Sequence, residues 1–171
     1  MNISKILRAR NLSVPALALV AFSAQPAFAQ TAGANMGISA EVTANCAVST
    51  TPIAFGNVDV TTGAAVLGTG GISVVCTNGT DWSASADAGT GPDATLAVRQ
   101  MSDGAETLNY ALYTEPTRTT IWGDGVTTTA TIDGTGSGVA QNSIIYGRIL
   151  ASQTGVIAGS YADTVAVTVT Y

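Results

Sequence analysis

The chain carries two cysteines, Cys46 and Cys76, and no histidine. Their spacing excludes a CxxC redox or metal site. Without histidine there is no Ser–His or Cys–His pair to activate a nucleophile. The single lysine, Lys5, lies in an N-terminal leader, so the rest of the chain offers no Schiff-base or Ser–Lys chemistry. Asp124 and Asp133 could flank a glycosidic bond as a carboxylate pair. Each precedes a glycine, however, where aspartate more often shapes a turn. Asp103, also followed by glycine, completes a set that lacks the alternating ligand spacing of a calcium loop. Gly134-Thr135-Gly136-Ser137-Gly138 resembles a phosphate loop only in composition, because no lysine follows it and no helix begins there. Trp82, Trp122 and the tyrosines could form a sugar-binding surface, but packing in a core or on a sheet face is the simpler role. Arg99 and Arg148 are expected to meet carboxylates within the domain or to form surface ion pairs of little energetic value. The residues thus point away from catalysis, and neither a metal nor a cofactor is expected.

The leader has three parts. Lys5, Arg8 and Arg10 are basic, Leu12 to Phe22 is an apolar run, and Ala27-Phe28-Ala29 is a small-x-small cleavage site. Residues 1–29 therefore read as a secretory signal peptide, with the mature chain starting near Gln30. A membrane anchor is the alternative, but the apolar run is too short to span a bilayer and Pro15 interrupts it. Beyond the leader three arginines face eleven acidic residues, a formal charge of −8. Such a surface repels nucleic acid and has little attraction for anionic membranes. In an exported chain an even cysteine count reads as one disulfide, Cys46–Cys76, against the alternative of two free buried thiols.

These residues must be positioned by strands. Residues 30–171 suit one domain with one core. Thr and Val favour strands, and the 19 glycines suit the turns between them. From Ala32 to Val48 every even position is small or apolar: Ala32, Ala34, Met36, Ile38, Ala40, Val42, Ala44, Cys46, Val48. Period 2 over this length exceeds an ordinary strand of about five or six residues. The stripe is expected to serve two places, its second half entering this domain's sheet near Cys46 and its first half projecting beyond. Further strands are expected at Ile72–Thr77, returning through an Asn78-Gly79 hairpin into Trp82–Asp87. Others are expected at Leu96–Met101, Leu108–Tyr113, Val126–Ile132, Ile144–Leu150 and Tyr161–Tyr171. Thr114–Trp122 should be an irregular crossing, and Gly134–Gly138 a loop. No helical period occurs, and many short alternating strands indicate a sandwich. The sequence stops on a regular strand, which is expected to leave a bare edge or groove able to recruit another chain.

A set of short motifs runs in order through the chain: Cys46, Phe55-Gly56, Ile72-x-Val74-x-Cys76 and Arg99-x-Met101. It continues with Leu108-x-Tyr110-x-Leu112-Tyr113, Trp122-Gly123 and Tyr146-Gly147-Arg148-Ile149. It closes with Ala158-Gly159-x-Tyr161-x-Asp163-Thr164-Val165-x-Val167-Thr168-Val169. In these the chain resembles the spore coat protein U domain family, which includes subunits of archaic (Csu-type) chaperone–usher pili. The resemblance implies an all-β, incomplete immunoglobulin-like sandwich completed by a donor strand from another chain. It implies a division into signal peptide (1–29), N-terminal donor-strand extension (30–45) and pilin domain (46–171). Ala32, Ala34, Met36, Ile38 and Ala40 would be the donor residues, and Val165, Val167, Val169 and Tyr171 the acceptor groove. The implied partners are neighbouring pilus subunits, a periplasmic chaperone and an outer-membrane usher, with no nucleic acid and no small-molecule substrate. The implied location is a cell-surface pilus reached through the periplasm, serving adhesion and biofilm formation. A non-pilus secreted coat or matrix protein is the alternative. A two-domain tip adhesin is disfavoured for want of room.

The cysteine assignment is directly testable. Closing a loop of this length stabilises a fold by roughly 3–4 kcal/mol in the chain-entropy model. Thiol labelling of the denatured, unreduced mature protein should find no free cysteine, and two labelled thiols would refute the bond.

Overall fold

A computed structural model describes residues 27–126 and 128–171. The leader assigned to residues 1–29 lies outside the described residues except for Ala27–Ala29. The chain separates into two units, one ending at Ser39 and one formed by Ala40–Tyr171. In the first, residues 27–39 are exposed and form no strand.

The second unit is built from ten strands among the described residues. They are β1 (Cys46–Thr51), β2 (Val66–Cys76), β3 (Asp81–Ala86), β4 (Arg99–Ser102), β5 (Thr107–Tyr113), β6 (Ile121–Trp122), β7 (Thr129–Ala130), β8 (Ile132–Thr135), β9 (Gln141–Ile149) and β10 (Val167–Thr170). One sheet has the order β1-β2-β9-β5-β6-β7, with β4 also on β5, and the other has the order β10-β3-β8. The two pack as a sandwich because each strand alternates an apolar inner row with a polar outer one. Ile72 and Val74 of β2, Leu108 and Leu112 of β5, and Ile145 and Ile149 of β9 meet Trp82, Ala84 and Ala86 of β3. Cys46 and Cys76 face each other in the β1–β2 ladder and are joined by the disulfide.

Several expectations need correction. The stripe enters the sheet near Cys46 as expected, but the strand runs on to Thr51. Asn45 O accepts from Thr77 N at 2.9 Å, while residues 32–44 have no strand partner among the described residues. Alternation says how side chains would divide across a sheet, but a strand needs a neighbour to pair with. Asn78-Gly79 does form a turn, with Gly79 at φ 80° and Thr80 N donating to Thr77 O at 3.0 Å. It is not a hairpin. Both flanks of β2 are occupied, by β1 and β9, so the chain crosses to the other sheet, where β3 pairs with β8 and β10. The Thr-rich stretch expected as one strand splits into β7 and β8, which lie in different sheets. Gly134 and Thr135 belong to β8 rather than to a loop.

Arg99 explains the largest discrepancy. It meets no carboxylate in a surface pair. It is fully buried, and its guanidinium donates to three backbone carbonyls. Nε reaches Asp87 O at 2.8 Å, Nη1 Leu96 O at 2.9 Å and Nη2 Trp122 O at 2.8 Å. Burial lowers its pKa, against the opposing fields of Tyr110, Asp87 and Asp163. With the Asp87 carbonyl occupied, the β3–β10 ladder stops at the Val167–Ala86 pair. The expected strand Tyr161–Tyr171 is thus reduced to β10, and Ala162 bridges Ser102 of the opposite sheet. Arg148 also avoids carboxylates. It donates to the Tyr113 hydroxyl, with its guanidinium carbon 4.9 Å from that ring's centroid.

The connection from β5 to β6 is organised by Glu115. Its Oε1 accepts from Thr119 N, Thr120 N and Thr119 Oγ1 at 2.6–2.7 Å, while Oε2 accepts from Thr114 Oγ1 at 2.8 Å. Partial burial raises the pKa of this carboxyl, but the hydrogen bonds outweigh it and hold the pKa at about 2.

Two predictions follow from these contacts. Arg99→Met fills similar space but orphans three carbonyls, each costing about 1–3 kcal/mol. It should lower unfolding stability by roughly 3 kcal/mol or more, read from chemical denaturation. For Glu115, the folded pKa lies below the unfolded value. Its stabilisation is therefore present above the unfolded pKa of about 4.3 and is lost as pH falls through the folded value. Glu115→Gln should melt below wild type at neutral pH, and the difference should close as pH approaches 2.

Candidate functional site

An apolar groove opens between the end of β1 and the segment leading into β10. β1 is an edge strand of its sheet and β10 an edge strand of the other. Its volume is about 480 Å³. Leu112 and Ile145 form its floor, Pro52 and Ile53 line one side, and Val165 and Val167 line the other. Near the floor the Tyr110 hydroxyl donates to Asp163 Oδ2 at 2.6 Å. Burial pushes the Tyr110 pKa up, reinforced by that hydrogen bond and the Asp163 charge, so the phenol stays protonated and the bond persists. A second cleft of about 740 Å³ continues past Phe55 towards Val58 and Val156. Ile53, Phe55, Met101 and Tyr161 border both. Ile53 and Phe55 can lie flat on the sheet because glycines stand beneath them. A Cβ at Gly147 would fall 2.8 Å from Phe55 Cζ, and one at Gly70 would fall 2.6 Å from Ile53 Cγ1.

Val165, Val167 and Val169 are half-buried and pack against the core. Tyr171 is 56% exposed. Ala32, Ala34 and Ala40 are exposed, as are Met36 at 86% and Ile38 at 90%. Sequence reasoning missed the opposite side of the groove, Pro52, Ile53 and Phe55. They lie outside any strand, so no period singles them out. Their only signal was an apolar pair placed just after the first strand.

The other chemical candidates resolve into structure. Asp124 accepts from Val126 N at 2.9 Å and Thr129 Oγ1 at 2.7 Å, which lowers its pKa and fixes a turn. Asp133 accepts from Thr131 Oγ1. Trp82 and Trp122 are buried, their indole N–H groups donating to Gln141 Oε1 and Ala84 O. Among the described residues no cluster of His, Cys, Asp or Glu is arranged to hold a metal ion.

No curated protein matches the chain. Among solved structures it is similar to the CsuC–CsuE chaperone–tip adhesion subunit pre-assembly complex from archaic chaperone–usher Csu pili of Acinetobacter baumannii. The TM-score is 0.56 and the identity 20%, over 76% of this chain and 40% of that one. This chain therefore spans less than half the length of the chain it matches. The likeness is one of fold, an incomplete immunoglobulin-like sandwich. The model of the Spore Coat Protein U domain matches residues 32–168, which takes in β1 to β9, the disulfide and the groove, and the chain belongs to the Spore Coat Protein U domain family.

Proposed function

We propose that this protein is a structural subunit of a chaperone–usher pilus, assembled by donor-strand complementation. The observation that carries the reading is the pairing of two unsatisfied features in one chain. An apolar groove lies beside β10, whose second edge has no strand partner among the described residues. An exposed N-terminal segment carries an alternating apolar row. Strand addition matches them: main-chain hydrogen bonds supply affinity, and alternate side chains fill pockets. Residues 30–45 act as the donor, with Met36 and Ile38 as the large inserts and Ala32, Ala34 and Ala40 in shallower positions. Burying each large side chain is worth about 1.5–3 kcal/mol. Val165, Val167 and Val169 form the accepting wall, with Tyr171 at its end. A donor leaving one copy and entering the next makes a head-to-tail contact that propagates as a fibre. The protein is exported through the periplasm, where a chaperone holds the groove, and passes an outer-membrane usher to the cell surface. Adhesion and biofilm formation are the roles such a fibre would serve.

The test moves the donor within the chain. Residues 30–40 are deleted and appended after Tyr171 through a short flexible linker. The rearranged chain should be a soluble monomer that melts tens of degrees above the mature parent, because an open groove removes much of a total stability of about 5–15 kcal/mol. Ile38→Asp in the appended segment should erase the gain, since it buries a carboxylate without a partner. A parent that is already a stable monomer, with no gain on rearrangement, would instead favour the secreted coat or matrix protein.

A further inference from the structure

We propose that Asp87, whose carbonyl is held by Arg99, and Asp163 are positioning residues that extend the strand-accepting edge of the groove beyond β10, from Val167 back to Asp163. The inference rests on the donor-strand reading above. In an antiparallel ladder, alternate residues turn both backbone groups to the same neighbour. Ala166 lies one step beyond the last β3–β10 pair. Asp87 N donates to Ala166 O at 3.1 Å. The return bond from Ala166 N would normally go to the Asp87 carbonyl, but Arg99 Nε occupies that oxygen at 2.8 Å. Ala166 N goes instead to Asp87 Oδ1 at 2.9 Å. A carboxylate thus replaces a backbone acceptor and preserves the alternation.

The same phase continues upstream. Ala162 exchanges both backbone bonds with Ser102 of β4, at 2.9 and 3.1 Å. Between these points Thr164 N donates to Asp163 Oδ1 at 2.7 Å. The even-numbered residues are therefore tied to the domain. The backbone groups of Asp163 and Val165 are left on the other side, where those of Val167 and Val169 also lie, and among the described residues they have no backbone partner.

Asp163 fixes this arrangement. Oδ1 also accepts from Thr90 N at 2.8 Å and Thr90 Oγ1 at 2.7 Å, and Oδ2 accepts from the Tyr110 hydroxyl. The fit requires glycine at position 89. Its φ is +84°, and a Cβ there would fall 2.1 Å from Asp163 Oδ2. Side-chain oxygens hold residues 163–166 where no ladder does, so an incoming strand need not order them as it binds. The accepting edge then spans Asp163, Val165, Val167 and Val169, long enough for an alternating apolar strand to be gripped at both ends.

Hydrogen exchange on the full mature chain, residues 30–171, tests the proposal, with and without an excess of a synthetic peptide of residues 30–45. In wild type the peptide should protect both 161–166 and 167–171. In Asp163→Ala the complex should exchange about tenfold faster over 161–166 while 167–171 stays within about twofold of wild type. Asp163→Asn keeps an oxygen for Thr90 and should restore protection. Should Asp163→Ala fail to fold, Thr90→Val removes one donor and should show the same split to a smaller degree. Equal protection of both segments in the variants would overturn the proposal. So would a loss spread over the whole domain, which would mark a general structural role. If the peptide protects neither segment in wild type, the donor-strand reading falls and this proposal falls with it.

Discussion

A guanidinium withdrawn from water costs several kcal/mol unless hydrogen bonds replace its hydration. Arg99 is buried completely, and its replacements are the carbonyls of Asp87, Leu96 and Trp122. These belong to the end of β3, the approach to β4, and β6. One side chain therefore joins the two sheets at a corner. It also takes the carbonyl that would have prolonged the β3–β10 ladder. The last segment changes sheets between Ala162 and Val167 as a result, and the groove opens beside it.

The groove and the N-terminal stripe express the same constraint. Burying apolar surface is favourable, and this chain leaves two pieces of it uncovered. Val165 and Val167 line a groove between sheet edges, while Met36 and Ile38 stand almost fully exposed. A short alternating strand suits such a groove better than a helix or a loop. It offers a side chain at every second position to the valine row and backbone groups to an open edge. The single disulfide lies at the start of β1, where the sheet begins, and anchors the edge strand that borders the groove.

The carboxylates have a consistent role. Asp59, Asp103, Asp124 and Glu115 all have lowered pKa values and accept hydrogen bonds from nearby backbone N–H groups. Asp87 and Asp163 accept from Gly89 N and Thr90 N. In a chain so rich in glycine and threonine, ionised side chains shape the turns that regular pairing does not. The negative charge is thus spent largely within the architecture, which fits the structural reading of the Asp-Gly pairs better than a catalytic one.

Composition and period were enough to determine a good deal. They gave an all-β domain, one disulfide, the apolar stripe ahead of it and the inner rows of β2, β3, β5 and β9. Each of these depends on local alternation or residue type, which a linear sequence displays directly. Tertiary structure decided what depends on neighbours. Asn78-Gly79 turns the chain, yet whether it makes a hairpin depended on β2 already having partners on both sides. Residues 32–44 alternate as a strand should, but have none to pair with among the described residues. Arg99 was expected to meet carboxylates, because nothing local shows that the carbonyls of Asp87 and Trp122 join that of nearby Leu96 around it. The opposing wall at Pro52, Ile53 and Phe55 was equally hidden, since it becomes a wall only when glycines from β2 and β9 are brought beneath it. Period is a local property, whereas an open edge and a buried charge are defined by the segments that surround them.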